Sequence, residues 1–265
     1  MKKVCIIGGD SRLKTVKRHL ESQNFFVSTL GLYPDDKCDI SLSDIIILPV
    51  PTTRDGKTVF APETNRVIPL TEIYDKTKNQ LILCCNYNFE GRNCIDYNTL
   101  DSYALLNAVP TAEGAIKIAI ENTDFTLWQS KVLVIGYGRV GKILADRLKA
   151  FGAFVTVSAR KPRDFALLEA LGFNYINTES IKNLFLGYDI IFNTVDTEVL
   201  YGDTLKNLPS ALLVDLSTKG GFDLEYAKSL GIKALKAPAL PGKTAPKTAG
   251  KILAKTVSDL IRFYN

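Results

Sequence analysis

The chain of 265 residues has a single histidine, His19, and this scarcity excludes several kinds of chemistry. Its five cysteines form no Cys-x-x-Cys pair, so we predict no metal site because a zinc site would lack ligands. A cysteine nucleophile normally needs a neighbouring base such as histidine, so we do not expect cysteine catalysis. Cys5, Cys84 and Cys85 lie in apolar runs, and we expect them to be small core residues of a cytoplasmic protein.

Long hydrophobic runs and dense basic stripes are also absent. No stretch approaches 18 consecutive apolar residues and the first residues already form a strand pattern, so we expect no membrane span and no signal peptide. The net charge of +5 comes from scattered residues without the aromatic interleaving of a nucleic-acid binder. The hydrophobic fraction of 46% supports a sizeable core. An anionic small substrate and an anionic cofactor account for the basic surplus.

The most informative positive signal is the sequence Val-Leu-Val-Ile-Gly-Tyr-Gly-Arg-Val-Gly at residues 132–141. A buried-strand pattern ends there in Gly-x-Gly-x-x-Gly and continues as a helical pattern, which is typical of a dinucleotide-binding Rossmann domain. Gly136 allows the tight turn, Gly138 lets the backbone approach a pyrophosphate, and Gly141 lets the helix pack on the strand. The helix N-terminus then faces the phosphates. The predicted cofactor residues of this loop are Gly136, Tyr137, Gly138, Arg139, Val140 and Gly141.

The end of the following strand indicates which dinucleotide binds. A domain that selects NAD usually has Asp or Glu there, about 20 residues after the first glycine, to hold the ribose 2′-hydroxyl. Ser158 stands near that position, followed by Ala159, Arg160 and Lys161, so no carboxylate is present. A hydroxyl and two cations suit a phosphate, and we predict that Ser158, Arg160 and Lys161 bind the 2′-phosphate of NADP, with NAD bound more weakly. The alternative is a solvated basic turn.

Two α/β patterns follow one another along the chain and predict parallel, doubly wound sheets. We expect a flavodoxin-like α/β substrate domain at residues 1–121 plus 246–265 and a Rossmann NADP-binding domain at residues 122–245. Strands of the first are predicted near Val4–Ile7, Phe26–Leu30, Asp44–Val50 and Gln80–Cys84. Strands of the second are predicted near Lys131–Ile135, Phe154–Ser158, Asn174–Ile176, Ile190–Thr194, Leu212–Leu216 and Ile232–Leu235.

Helical patterns connect these strands. Pro110 and Thr111 are typical of a helix start, so we predict a helix through Asn122 that links the two domains. The loop 238–246 leads into an amphipathic helix over 247–264, which we expect to pack back on the first domain. Further helices are predicted near Arg12–Glu21, Val140–Ala150, Arg163–Leu171, Ile181–Phe185 and Leu224–Leu230.

Ligands of open parallel sheets bind outside the carboxyl ends of the strands, so the loops at those ends carry the candidate site. After the first strand, either Ser11 or Arg12 contacts substrate, or Asp10 caps the helix. After the third strand, prolines hold Thr52 and Thr53 at the strand end or merely stop an edge strand.

The equivalent loops of the second domain hold the remaining candidates. Thr194 and Val195 follow a strand where cofactor ribose or nicotinamide usually lies. Asp215 is either structural or a proton acceptor. Lys219 and Lys243 either hold a substrate carboxylate or are solvated surface lysines.

Taken together, six segments of the chain resemble the family of dipicolinate synthase A subunits. They are Gly8–Arg12, Asp44–Pro51, Asn107–Ala115, Gly136–Gly141, Ser158–Lys161 and Leu240–Gly250. The resemblance implies oxidation of dihydrodipicolinate, or its hydrated precursor, to dipicolinate with NADP, in the mother cell of a spore-forming bacterium during sporulation. It also implies a partner, the flavoprotein-like B subunit of dipicolinate synthase. The architecture is similar to that of D-2-hydroxyacid dehydrogenases, whose catalytic histidine has no counterpart here, whereas Thr218–Gly220 occupies the place of their carboxylate-binding Arg-Gly.

Because such a product is aromatic, the enzyme mainly has to position a ring carbon and hold two carboxylates. Candidate cations are Arg12, Lys219 and Lys243, and candidate hydrogen-bonding groups are Thr52, Thr53, Asn107, Thr111 and Glu113. Glu113 is the preferred proton acceptor; the alternative is a first-turn carboxylate that complements the helix dipole.

Two other functions compete with this one: a non-catalytic NADP-binding protein with a regulatory or scaffold role, and a D-2-hydroxyacid dehydrogenase-like enzyme. Scarce histidine favours the first, whereas polar, cationic loops favour an enzyme. A homo-oligomer is compatible with the sequence, which does not fix the oligomeric state.

Overall fold

The computed structural model describes residues 1–183, 187–208 and 210–264, and the chain divides into two compact units. The first unit comprises Met1–Asn107 and Pro241–Asn265, and the second comprises Ala108–Leu240. Both divisions, after Asn107 and after Leu240, fall earlier in the chain than the boundaries expected from the sequence, which were after residues 121 and 245. The first lies inside a continuous helix, where no change of composition marks it.

The first unit contains a five-stranded sheet whose strands are all parallel and ordered β2-β1-β3-β4-β5. The strands are β1 (Lys3–Ile7), β2 (Phe26–Leu30), β3 (Ile45–Ile47), β4 (Leu81–Cys84) and β5 (Cys94–Asp96). This is the flavodoxin-like order, which confirms the predicted fold class. The central strands are continuous apolar runs because helices cover both faces of such a sheet. The edge strand β5 was not predicted, since its three residues are only half-buried.

Helices of the first unit surround this sheet. They are α1 (Ser11–Ser22), α2 (Leu70–Lys76), the start of α3 (Asp101–Asn122), the end of α8 (Leu240–Thr244) and α9 (Pro246–Phe263). The C-terminal helix α9 packs on α1, as predicted, and buries the apolar stripe that includes Leu253, Val257 and Ile261. The short helix α8 occurs where we predicted a loop.

The second unit contains a six-stranded parallel sheet ordered β11-β10-β9-β6-β7-β8, the Rossmann order predicted. Its strands are β6 (Lys131–Ile135), β7 (Phe154–Ala159), β8 (Asn174–Asn177), β9 (Ile190–Asn193), β10 (Leu212–Asp215) and β11 (Ala234–Lys236). Its helices after α3 are α4 (Arg139–Ala150), α5 (Pro162–Ala170), α6 (Asp203–Lys206) and α7 (Leu224–Ser229). Part of the helix predicted near Ile181–Phe185 lies outside the described residues, and its described part belongs to a 3₁₀ helix, Thr178–Asn183.

The predicted start of the linking helix is wrong. Helix α3 begins at Asp101, two turns before Pro110, which lies inside it. Proline is favoured in a first turn because it lacks an N–H, but the buried Pro110 is tolerated here inside a helix whose Tyr103 and Ala112 are core residues before and after it.

The first unit contains one disulfide among its described residues. Cys5 and Cys38 are joined by a disulfide that the sequence analysis did not predict, although Cys5 is a buried core residue as expected. No helix within the described residues is both long and apolar enough to cross a membrane.

Candidate functional site

The glycine loop after β6 is shaped by two close approaches of backbone and side chain. A Cβ on Gly136, whose φ is +97°, would lie 2.6 Å from Val195 Cγ1 and 2.7 Å from Thr194 Oγ1. A Cβ on Gly141 would lie 2.1 Å from the carbonyl oxygen of Gly136. A Cβ on Gly138 would meet open space. Two glycines therefore close the turn, and the third leaves room above it for a ligand.

The N-terminus of α4 faces this open space. Gly138 is the N-cap of the helix and, within the described residues, no side chain caps it, nor does its first turn contain an acidic residue. The first N–H groups of a helix have no intrahelical partners, and the helix dipole favours an anion there. The loop therefore fits a dinucleotide pyrophosphate.

The other predicted residues of this loop take different places. Tyr137 is nearly buried, and the Lys142 ammonium lies 5.0 Å from its ring centroid. Arg139 is exposed at the first position of α4, and Val140 is half-buried in the same turn. Thr194 Oγ1 donates to the carbonyl of Ile135 at 2.8 Å, which fixes the end of β9 against the end of β6.

Ser158 lies under the glycine loop rather than in the solvent. Its side chain is completely buried, and its Oγ accepts a hydrogen bond from Gly136 N at 3.3 Å. Thr178 Oγ1, which the sequence analysis missed, donates to the same Oγ at 3.1 Å. Because both contacts are internal, we correct the interpretation of Ser158 from a phosphate ligand to a support of the loop. Arg160 and Lys161 are exposed at the end of β7.

Asp215, at the end of β10, is the most fully satisfied carboxylate of this region. One oxygen accepts from Asn193 Nδ2 (2.9 Å), Ser217 N (3.0 Å) and Ser217 Oγ (2.7 Å). The other accepts from Gly221 N (3.0 Å) and the Lys236 ammonium (2.7 Å).

These contacts decide the role of Asp215. Burial alone would raise its pKa, but the hydrogen bonds from Lys236, Asn193 and the 217–221 loop outweigh burial and hold the pKa below its usual value. A carboxylate held this firmly as an anion is a poor proton acceptor. The catalytic interpretation of Asp215 is therefore replaced by the structural one.

Asp215 and its neighbours hold the loop that carries Lys219. Asp196 accepts from the backbone N–H groups of Thr218 (2.7 Å) and Lys219 (3.3 Å). A Cβ on Gly221 would lie 1.8 Å from Asn193 Nδ2, so the loop packs directly on β9. The Lys219 side chain is exposed, at the carboxyl edge of the sheet, as a binding cation requires.

Glu113 lies far from that edge. Its carboxylate is 3.1 Å from Arg147 Nη2, in the last turn of α4, at the end opposite to the glycine loop. Its side chain is 58% exposed, and it lies in the middle of α3 rather than in a first turn. The dipole alternative is wrong because Glu113 is not in a first turn, and the proton-acceptor hypothesis loses its premise that the helix starts here.

In the first unit, Arg12 is bonded to two loops, its own and the one after β3. Its Nε and Nη2 contact the carboxylate of Asp10 at 2.8–3.1 Å, and Nη2 also donates to the carbonyl of Val50 at 2.6 Å. Asp10 caps α1 by accepting from Arg12 N at 3.0 Å, which is the alternative left open above. Burial lowers the pKa of Arg12, but Asp10 outweighs burial and the pKa is raised. We therefore revise Arg12 from a substrate cation to an anchor between two loops. Ser11, the other candidate of this loop, is exposed.

The two threonines after β3 are also engaged locally. Thr52 is fully buried; its Oγ1 accepts from Cys85 N at 2.8 Å, and its N–H donates to the carbonyl of Cys85 at 3.1 Å. Thr53 Oγ1 donates to Asp55 at 2.9 Å and accepts from Gly56 N at 3.0 Å. Thr52 thus ties its loop to the end of β4, a structural role that we did not predict.

The remaining candidates lie on helices. Asn107 and Thr111 are half-buried within α3, and Lys243 is exposed in α8. The structure thus gathers the glycine loop, Ser158, Thr194 and Val195 at one place, and leaves Glu113 outside it.

Known proteins are similar in sequence to this chain over nearly its whole length. The family of N-terminal domains of the dipicolinate synthase A subunit matches residues 3–105. The A subunit of dipicolinate synthase from Bacillus subtilis (strain 168) is 35% identical over 98% of this chain and 95% of its own length. The chain belongs to the family of dipicolinate synthase A subunits. This confirms the resemblance inferred from the six sequence segments.

Structural comparison agrees with this family. The crystal structure of the dipicolinate synthase A subunit from Bacillus halodurans superposes with a TM-score of 0.90 at 32% identity, and covers 98% of this chain and 97% of its own. The NAD-binding domain family of D-isomer specific 2-hydroxyacid dehydrogenases matches residues 112–199. The D-lactate dehydrogenase of Salmonella has a TM-score of 0.67 at 14% identity, over 99% of this chain and 97% of its own, and shares the fold. The second unit is thus a nicotinamide-dinucleotide-binding domain of the dehydrogenase type.

Proposed function

We propose that this member of the family oxidises dihydrodipicolinate, or its hydrated precursor, to dipicolinate with NADP as the hydride acceptor. The family membership and the dehydrogenase-type domain support an oxidoreductase. As the resemblance implies, we place the reaction in the cytoplasm of a sporulating mother cell. The observation that carries the choice of cofactor is the end of β7, which has exposed cations where NAD-selective domains have a carboxylate.

The geometry at the end of β7 supports a 2′-phosphate site. Arg160 and Lys161 are exposed and belong to the turn that precedes α5, and Lys161 is the N-cap of that helix. Ser158 and Ala159 are buried beneath them, so these two cations are the groups at the end of the strand that a ribose 2′-substituent would meet. An NAD ribose would find no carboxylate at residues 158–161 to accept hydrogen bonds from its hydroxyl groups, whereas a phosphate would gain charge-assisted hydrogen bonds.

The rest of the site would position the cofactor and the substrate. The N-terminus of α4 would hold the pyrophosphate, and the bound nicotinamide would supply the hydride-accepting carbon. Lys219 is our candidate for a substrate carboxylate, since its loop is fixed by Asp196 and Asp215 while its own side chain is exposed. Because formation of the aromatic ring supplies the driving force, the reaction needs no strong base, which agrees with the pairing of Asp215 and Glu113 with cations.

The direct test is a rate measurement with purified protein and freshly generated dihydrodipicolinate. We expect NADPH to form, followed at 340 nm, faster than the substrate oxidises spontaneously and faster than NADH forms from NAD. The control is the same assay with Lys219→Ala, which we expect to raise the KM for the dicarboxylate and to leave NADP binding unchanged. Tight NADP binding without any turnover would contradict an independent enzyme.

A second candidate is a protein that binds NADP and acts only together with its partner. The observation that favours it is that the best carboxylate candidates for proton transfer, Asp215 and Glu113, are both engaged elsewhere. The Bacillus subtilis relative is named as the A subunit of its synthase, which implies a second component, and we propose that this is a flavoprotein-like B subunit. Turnover that appears only when the second component is added would favour this candidate.

A further inference from the structure

Two thiols lie side by side in the first unit, at a place that the proposed reaction does not use. Cys84 ends β4 and Cys94 begins β5, and their sulfur atoms are 3.2 Å apart. The parallel register pairs Ile82 with Cys94 and Cys84 with Asp96. Since side chains alternate along a strand, Cys84 and Cys94 are diagonal neighbours on one face of the sheet.

The surroundings distinguish the two sulfur atoms. Cys84 is buried, and its Sγ lies 2.8 Å from the carbonyl oxygen of Tyr87, which is a second possible acceptor for its single proton. The hydrogen bond with Cys94, together with burial, raises the pKa of Cys84. Cys94 is half-buried; the hydrogen bond from Cys84 and one from Phe89 N outweigh burial and Asp96, and lower the pKa of Cys94 to about 7. The lowered pKa of Cys94 favours a thiolate beside a thiol, which is the state from which disulfides form.

Cys85, the next residue along, provides an internal contrast. It is buried on the opposite face of the sheet, and burial raises the pKa of its thiol to about 12. Cys94 and Cys85 thus differ in the property that controls thiol reactivity, because Cys94 has the Cys84 thiol beside it, whereas burial dominates at Cys85.

The segment between the two thiols is linked to a loop at the carboxyl edge of the same sheet. The N–H and carbonyl of Cys85 bond to Thr52, and the N–H of Asn86 donates to Asp96 at 3.1 Å. A covalent bond between Cys84 and Cys94 would therefore restrain the segment 85–93, which leads from the Thr52 loop to β5.

We propose that Cys84 and Cys94 form a redox-active dithiol site that closes to a disulfide when it meets a peroxide. The Cys94 thiolate attacks a peroxide oxygen, the O–O bond breaks, and the leaving hydroxide takes up a proton to become water. The resulting Cys94 sulfenic acid is attacked by the sulfur of Cys84, which loses its proton as the S–O bond breaks and a second water leaves. Two thiols are oxidised and one peroxide is reduced. This inference does not depend on the proposed dehydrogenase activity.

The test uses the full-length protein, reduced with a mild thiol and treated with one equivalent of hydrogen peroxide. After alkylation and proteolysis, mass spectrometry should find a Cys84–Cys94 cross-linked peptide, lighter by two hydrogen atoms than the two free peptides. Dithiothreitol should remove it. Cys85→Ser is the matched control and should give the same cross-link. Cys84→Ser should instead leave Cys94 as a sulfenic acid that dimedone traps.

A second measurement needs no variant. In the reduced wild-type protein, Cys94 should react with iodoacetamide faster than Cys85 at neutral pH, and the rate at Cys94 should rise with a midpoint near pH 7. A cross-link that forms through Cys85 instead, or Cys94 oxidised to a sulfinic acid without any cross-link, would overturn the proposal. So would equal alkylation rates at Cys94 and Cys85.

Discussion

The carboxyl edges of both sheets contain buried, bonded polar residues, but the second also leaves a helix N-terminus and cations open to a ligand. In the second unit, α4 begins at the exposed Gly138 without a side-chain cap, and exposed cations follow β7. In the first unit, Arg12 and Thr52 stand at the equivalent strand ends, yet both are buried and bonded to neighbouring segments of the same unit. The comparison teaches that a binding site needs groups left without internal partners. A polar side chain at a strand end is as readily a structural part of its loop.

The largest effect should come from adding a side chain to the glycine loop at Gly141. In Gly141→Ala, the new Cβ would meet the carbonyl oxygen of Gly136 at 2.1 Å, and neither backbone can move freely. We expect a loss of about 3 kcal/mol in the free energy of unfolding and loss of dinucleotide binding. Thermal unfolding and NADPH titration measure the two effects. The control is Gly138→Ala, which adds a Cβ in open space and should fold normally with weakened binding; normal binding by Gly141→Ala would contradict the account.

The next prediction tests whether Arg12 of the first unit has a structural role. Arg12→Ala removes one partner of a buried pair, so we expect the free energy of unfolding to fall by about 2–3 kcal/mol, less than for a fully buried pair because Asp10 is partly exposed. Urea unfolding measures it, with Ser11→Ala as an exposed neighbour that should change stability by about 0.5 kcal/mol or less. Unchanged stability together with a raised KM for the dicarboxylate would restore Arg12 as a substrate ligand.

Asp215 provides a test through pH. Its pKa is lowered in the folded state, so its contribution to stability is present above the unfolded pKa of about 3.9 and is lost as pH falls through the folded value. We expect Asp215→Asn to be less stable at pH 7 and to lack this part of the acid destabilisation below about pH 4. Urea unfolding at pH 7 and pH 3 measures it, with the exposed Asp259→Asn as control. Equal pH dependence in wild type and Asp215→Asn would contradict the structural role.

The smallest effect should be that of Glu113→Gln. The ion pair with Arg147 is exposed, and such pairs contribute about 0–1 kcal/mol. We expect kcat and KM to change by about twofold or less, which steady-state kinetics would show. A fall in kcat of about a hundredfold would return Glu113 to the catalytic machinery.

The fold and the glycine loop were predictable because their signals are local. A buried strand, three glycines at fixed spacing and a helical pattern all lie within residues 132–148, and the strand order follows from repeated α/β units. The start of α3 was not predictable from Pro110, since packing along the helix overrides the local preference.

Side-chain roles were harder because they depend on partners distant in sequence. Asp215 is held by Lys236, and Ser158 by Thr178. The sequence around Asp215 or Ser158 does not indicate these partners, because they are about 20 residues away. The same holds for the Cys84–Cys94 pair, which arises from the register of two strands.

The most direct test of the central claim is a comparison of NADPH and NADH affinities by titration, for the wild type and for Arg160→Ala combined with Lys161→Ala. We expect the wild type to bind NADPH at least about tenfold more tightly, since charge-assisted hydrogen bonds contribute about 1.5–3 kcal/mol each. The double variant should lose this preference by weakening NADPH alone. Equal affinities in the wild type, or a preference that survives in the variant, would contradict a 2′-phosphate site at the end of β7.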